Sequence, residues 1–361
     1  MIDDNKISLR QFTCLVTLFV IGDTIIFVPS YVTSLGKQDA WLSAIFAGFF
    51  GIFLVTLYSF LGKRFPSMNI ISIGEKVFGL WVGKIIGVLF VFFFLIDSGG
   101  ILWDLGDFMT TQIMPETPIN AILILFLSIV IIGIKIGLEP LARAAEIYFP
   151  IVILLFLILV ISVSREIKPE NIQPILEDGV KPVLGGSLPL IGFYLESVIL
   201  LMVLPYVNQV KRIKKGYVIG MIIGSSFLLI VILLSILVFG THLTSNNIYP
   251  TYVLARKINI GDFFQRVEAV LAFIWILTVY FKLTICFYAA AAGFGQILKI
   301  KDYKVLTFPL AVIVYVLALI IAPNITYIGD FLLSIWWAFT FSYGLFLPLL
   351  LIAVAKLRKI I

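Results

Sequence analysis

The chain has 361 residues, of which 61% are hydrophobic and only 13% charged, with a mean hydropathy of +1.14. That composition excludes a soluble globule, and because apolar runs recur from end to end, no soluble domain of useful size is left over. The net charge of +6 does not indicate nucleic acid, since the basic residues fall between apolar segments, where membrane orientation accounts for them.

The opening residues include Asp3 and Asp4 and lack a small-residue cleavage site after a short apolar core, unlike a signal peptide. The first apolar segment, 12–33, is long enough to cross a bilayer, which takes about 20 residues. It is interrupted at its midpoint by Ile21-Gly22-Asp23-Thr24, with Pro29 further on. A mid-membrane carboxylate costs at least ~2.5 kcal/mol on insertion scales and therefore faces a cavity or a partner. Glycine lets the backbone leave helical geometry, and proline frees a carbonyl one turn back. Transporters use such broken helices to hold ligands at membrane depth. The plainer alternative is a kinked helix with Asp23 fixed in a structural hydrogen bond.

Ten spans are predicted, at about 10–33, 41–61, 82–112, 119–137, 143–163, 184–208, 217–240, 267–296, 305–322 and 327–354. With a cytoplasmic N-terminus, the inner segments hold 18 of the 26 Lys and Arg residues, including Lys211, Arg212, Lys214 and Lys215, and the outer ones hold 7. The positive-inside rule thus places both termini in the cytoplasm, which requires an even number of spans. Within the outer connection 241–266, the stretch 248–264 mixes apolar and charged residues and predicts a short surface helix. His242, the sole histidine, sits in that connection as a solvated side chain, and Cys14 and Cys286 lie inside spans. Neither a disulfide framework nor a zinc site is expected from them.

The sixth span repeats the peculiarity of the first: Gly185, Gly186 and Pro189 precede Gly192-Phe193-Tyr194-Leu195-Glu196, a second glycine with a second mid-membrane acid. Two interrupted segments, each heading five spans, point to an inverted repeat with a midplane site. The expected architecture is an all-α integral membrane protein of about ten helices, a five-plus-five inverted repeat with helices one and six broken. It forms a single permease-like domain over 1–361, with repeat one at about 8–163 and repeat two at about 184–354.

Span three carries Asp97 near its middle and Asp104 and Asp107 further out, on one helical face. Span eight carries Lys282, flanked by Tyr280 and Thr284. Asp23, Asp97, Glu196 and Lys282 are therefore expected at one depth, with Lys282 paired to Asp23 or Glu196. The unpaired acids must be protonated or face water, a cation or a ligand amine. An internal salt-bridge network with no ligand is the plainer alternative. The candidate ligand-binding residues are Gly22, Asp23, Thr24, Ile25, Ile26, Asp97, Gly192, Phe193, Tyr194, Glu196, Tyr280 and Lys282. In this reading a ligand carboxylate docks on the backbone N–H groups of Thr24, Ile25 and Ile26, and Glu196 meets its amine. No His stands beside a Ser or Cys, no Gly-rich phosphate loop is present, and no cofactor or metal is expected, so an enzyme is disfavoured. Trp41, Trp81, Trp336 and Trp337 are assigned to the interfacial belt.

Several stretches resemble the spore germination permeases, the B subunits of nutrient germinant receptors. They are Ile7-Ser8-Leu9-Arg10-Gln11, Ile21-Gly22-Asp23 with Pro29, Asp39-Ala40-Trp41-Leu42-Ser43, Arg64-Phe65-Pro66, Gly74-Glu75-Lys76-Val77-Phe78-Gly79, Gly83-Lys84-Ile85-Ile86-Gly87, and Gly192 to Glu196 with Pro205-Tyr206. The resemblance covers essentially the whole chain and implies the amino acid–polyamine–organocation superfamily fold. It also implies association with A and C subunits in the spore inner membrane, and a small-molecule germinant such as an amino acid as ligand. Two features depart from the pattern. Asp23 stands where related permeases often have a small polar residue, and Lys282 stands where sodium-coupled relatives place hydroxyl residues around the cation, which puts sodium coupling in doubt. The competing function is a proton-coupled amino-acid permease.

Overall fold

The computed structural model describes residues 6–257 and 267–360. Among these residues the regular structure is helical, apart from one parallel backbone bridge between Ile7 and Val207. The first predicted span is two helices, α1 (Leu9–Ile21) and α2 (Val28–Gly36), joined by a 3₁₀ turn at Thr24–Ile26. The next three are α3 (Ala40–Arg64), α5 (Leu80–Phe108) and α6 (Ile119–Ile136), with the short α4 (Ile70–Phe78) between α3 and α5. The first five spans end with α7 (Leu138–Val163).

The second half follows with α8 (Val180–Leu195), α9 (Ile213–Asn246, kinked at Gly240), α10 (Pro250–Lys257), α11 (Val267–Ile297) and α12 (Thr307–Ile320). The last span is a composite. In it α13 (Ile325–Phe331), α14 (Trp337–Phe341) and α15 (Leu347–Leu357) are separated by π-helical turns at Leu332–Trp336 and Ser342–Phe346. The expected surface helix at 248–264 is observed as α10, and 258–264 lie outside the described residues.

Nine described segments are long and apolar enough to cross a membrane, making this a multi-pass membrane protein; Val28–Arg64 counts among them as one. Neighbour contacts show that this segment reverses direction. Along α9, Gly216, Gly220 and Gly224 meet Leu9, Val16 and Val20 in ascending order, so α1 runs parallel to α9. Gly48 meets Ser225 while Gly51 meets Met221, so α3 runs antiparallel to it. The turn falls at Lys37 (φ 52°), between α2 and α3, and with α1 and α2 taken as one broken crossing the passes among the described residues number ten.

The same contacts show the inversion. Phe27 meets Phe193 and Gly36 meets Gly186, so spans one and six are antiparallel. Gly87 meets Ile297 and Asp97 meets Cys286, so spans three and eight are antiparallel as well. With spans two and seven, three of the five pairs thus show the orientation that a five-plus-five inverted repeat requires.

Both ends of the described chain lie at one end of the molecule, here the near end. Ile7 donates to the Tyr206 carbonyl (2.8 Å) and accepts from the Asn208 N–H (3.0 Å), while α15 packs on α4. Arg10 of α1 pairs with Glu146 of α7 (3.1 Å), tying span five into the same end.

The close packing of α1 on α9 depends on the absence of side chains at the three glycines. A Cβ at Gly220 would lie 2.6 Å from the Val16 Cβ and 2.9 Å from the Thr13 carbonyl oxygen, so the change overpacks the contact. Gly220→Val should therefore cost about 1–3 kcal/mol and lower the thermal transition of the purified protein. Gly185→Val, at a position with no neighbour within 4 Å, should leave the transition nearly unchanged. Equal transitions for the two variants would show that α1 does not pack closely on α9.

Candidate functional site

The site is built where the first span breaks. Gly22 takes φ 35° and ψ −133°, and a Cβ there would sit 2.4 Å from the Lys282 Cδ. Glycine is thus required both by the backbone conformation and by the lysine stem that lies against it. Breaking a helix at membrane depth orphans carbonyl groups, each costing several kcal/mol if left dry (roughly 2–7). Here they are met by side chains. Thr278 donates to the Gly22 carbonyl (2.7 Å), Trp275 Nε1 to the Asp23 carbonyl (2.9 Å), and Thr251 of α10 to the Ile25 carbonyl (2.8 Å).

Trp275, Thr278 and Lys282 recur at i, i+3 and i+7, so one stripe of α11 serves the whole break. Lys282 Nζ lies 2.5 Å from Asp23 Oδ1, in a hydrogen bond, and 2.6 Å from Glu196 Oε2, in an ion pair without hydrogen-bond alignment. The rings of Phe19 and Phe193 each stand 5.6 Å from the ammonium, and lysine and both acids are at most 3% exposed. Trp336 Nε1 donates to the other oxygen of Glu196 (2.7 Å), and Cys286 donates its thiol to Asp97 Oδ2 (3.1 Å). The structure thus brings Asp23, Asp97, Glu196 and Lys282 together, and Lys282 pairs with both acids instead of one.

A cavity of about 30 Å³, room enough for water, lies on the side of this cluster away from the near end. Its polar wall consists of Asp23, Asp97, Asp104 and Glu196, and its apolar wall includes Phe193, Phe331 and Trp336. A second pocket of about 190 Å³, at the far end, is lined by Ser30, Tyr31, Ser245, Asn246 and Asn247, with α13 between the two.

The sixth span differs from expectation. α8 continues as α-helix through Gly192, where a Cβ would meet the Trp337 backbone at 3.1 Å. The change comes at Glu196, where the helix tightens into a 3₁₀ segment, Glu196–Met202. Gly192 therefore serves packing against α14 and not the break itself. Tyr194 points toward Gly51 of α3, away from the cavity, and its hydroxyl has no hydrogen-bond partner among the described residues. Tyr280, two positions from Lys282, lies on the other side of α11 against Gly133 of α6.

Thr24 donates to Asp23 Oδ1 (3.4 Å), and Ile25 and Ile26 are buried in the 3₁₀ turn, none of the three lining the cavity. Trp336, expected in the interfacial belt, is 6% exposed and holds Glu196; Trp81, at 81% exposure, keeps the belt role. Asp104, on the acidic face of span three but outside the predicted site residues, lines the cavity.

Removing one member of a buried ion pair typically costs about 3–5 kcal/mol. Lys282→Met orphans two carboxylates, whereas Asp23→Asn leaves Lys282 paired with Glu196. The lysine change should therefore lower protein stability more than the aspartate change. Adding Asp23→Asn to Lys282→Met should recover only part of the loss, and Glu196→Gln as well should recover more. Strict additivity in thermal unfolding of the purified variants would show that the three side chains do not interact.

Comparison with known proteins places this architecture. The family profile described as "Spore germination protein" matches residues 6–326. Spore germination protein KB of Bacillus subtilis (strain 168) is 26% identical over 359 residues, covering 98% of this chain and 95% of that one. Spore germination protein YndE of the same organism is also 26% identical, covering 98% of each. Among solved structures, Mhp1, a nucleobase-cation-symport-1 family transporter in a closed conformation with bromovinylhydantoin bound, superposes with a TM-score of 0.72. It is 14% identical and covers 94% of this chain and 81% of its own. MhsT in complex with L-phenylalanine superposes with a TM-score of 0.68, at 16% identity and with 95% and 97% covered. These likenesses show a shared transporter fold. By the family match over nearly its whole length, the chain belongs to the spore germination protein family.

Proposed function

We propose that this chain is the nutrient-sensing B subunit of a germinant receptor. It binds a small amine-bearing germinant of the amino-acid class in the midplane cavity and passes the change to A and C subunits in the spore inner membrane. Both termini face the cytoplasm in this reading, which the Lys and Arg distribution supports.

The observation that carries it is the cavity itself. It sits at the discontinuities of two antiparallel spans, and its wall includes both carboxylates that hold Lys282. A ligand that alters either pairing acts on spans one, six and eight together, and Trp336 extends the effect to span ten. Ligand binding shifts a two-state equilibrium only through differential affinity for the two states. A ligand competing for Asp23 or Glu196 supplies that difference.

A second reading, a proton-coupled amino-acid permease, draws on the same buried acids. Reconstitution of the chain alone in vesicles with an imposed proton gradient separates the two: the sensor shows no uptake of labelled L-alanine above empty vesicles, and a permease accumulates it.

Gly22→Ala places a methyl group against the Lys282 stem and disfavours the backbone of the break. In spores carrying it the germination response should be lost, with membrane immunoblots reporting whether the protein accumulates. A normal dose–response curve would refute the placement of the site. Because Lys282 already supplies a cation between Asp23 and Glu196, the response should also be the same in sodium and potassium media. A sodium requirement with Lys282 intact would refute that role.

A further inference from the structure

We propose that the germinant is an organic cation, held through its ammonium group by Asp97 and Asp104 of α5; this rests on the midplane cavity being the germinant site. Charge and partnering both lead there. Four carboxylates wall the cavity, and no Lys or Arg among the described residues lines it. The nearest cation among the described residues, Lys282, is already shared by Asp23 and Glu196, and Glu196 also receives Trp336, so the charge of these two acids is already largely offset. Asp97 is 3% exposed and receives one weak donor, the Cys286 thiol, on Oδ2, leaving Oδ1 without a hydrogen-bond partner among the described residues. Asp104 meets no hydrogen-bond donor among the described residues.

Asp97 and Asp104 stand two turns apart on one face of α5, with Gly100 between them. At Gly100 the nearest atom to a Cβ would be Ile321 Cδ1, at 3.9 Å, so the stretch between the carboxylates is open. Phe193, Phe331 and Trp336 close the other side with aromatic side chains, which suit an ammonium on a short apolar stem.

A ligand carboxylate finds no such partner. The first turn beyond the break of span one would draw an anion, but Asp23 stands at its start and brings its own negative charge. The acidic face continues toward the far end at Asp107, whose carboxylate accepts the Tyr249 hydroxyl (2.5 Å), so a cation meets successive acids along α5.

The test compares L-alaninamide, L-alanine and propionamide binding to the full-length purified chain by titration calorimetry. At about pH 6.5 the amine of L-alaninamide is protonated, so the three probes differ chiefly in charge. L-alaninamide should bind at least about tenfold more tightly than either of the others, as expected of a charge-assisted hydrogen bond. Asp97→Asn and Asp104→Asn should each weaken it about tenfold or more, while Asp104→Glu, which keeps the charge, should retain most of the affinity. If L-alanine binds as tightly, is unaffected by both Asn changes and is lost in Gly100→Leu, the cavity is the site but the cation assignment is overturned. If Gly100→Leu leaves every affinity unchanged, or no probe binds, the cavity reading falls and this inference falls with it.

Discussion

The structure depends on one ammonium group. Lys282 reaches from α11 between Asp23 at the break of span one and Glu196 at the tightening of span six. Each acid alone would be expensive at membrane depth, and so would the lysine. Together they are affordable only if three spans hold their positions to within hydrogen-bond distances. That requirement explains the local backbone: Gly22 is flattened to admit the lysine stem, and Thr278 and Trp275, from the same stripe of α11, take up the carbonyls freed by the break. The interruption of span one and the polar stripe of span eight are therefore one device, divided between the two halves of the chain.

The second discontinuity has a different logic. Span six has no residue with positive φ between Val180 and Tyr206, and it stays helical through two adjacent glycines, Pro189 and Gly192. The helix narrows at Glu196 without reversing, and its polar groups are met locally and by tyrosines. Ser197 bonds back to the Tyr194 carbonyl (2.5 Å), and Tyr217 of α9 donates to the Ser197 carbonyl (2.5 Å). The inverted repeat thus preserves the placement of a mid-membrane acid without preserving the means of placing it. One half uses glycine and an abrupt turn; the other uses a 3₁₀ segment supported by aromatic hydroxyls.

This contrast sets what could be read from the sequence. Spans, their number, the acids at one depth and the pairing of Lys282 with Asp23 were legible, because a charge in an apolar run has few tolerable environments. Gly22 was legible for the same reason, being next to the acid it serves. Gly192 looked equivalent, but glycine in a membrane helix is as often a contact surface as a hinge, and here it makes room for α14. Tyr194 and Tyr280 neighbour the charged residues in sequence, yet helical geometry turns both side chains away from the cluster. Trp336 was hidden for the opposite reason: Trp-Trp near a span end fits the interfacial belt, and only the π turn at Leu332–Trp336 carries its ring inward to Glu196. The polar residues at 275, 278 and 282 do carry a signal in the sequence, their common helical face.

The composite last span then acquires a physical meaning. π turns widen a helix locally and leave its hydrogen-bond ladder imperfect, and they concentrate where a side chain must be re-aimed. The first aims Trp336 at Glu196; the second lies against the Leu195 carbonyl, with Gly344 close enough that a Cβ there would approach it to 2.6 Å. Span ten therefore grips span six on either side of the point where its helix narrows. At the other extreme of the same span, α13 walls the midplane cavity from the far pocket, with Gly329 facing Tyr31. α13 therefore belongs to the same span that grips span six, and the wall between the two pockets is continuous with the donor to Glu196. The element that separates the cavity from the far pocket is the one that holds Glu196, so in the proposed reading a displacement of span ten would reach the lysine cluster through Trp336.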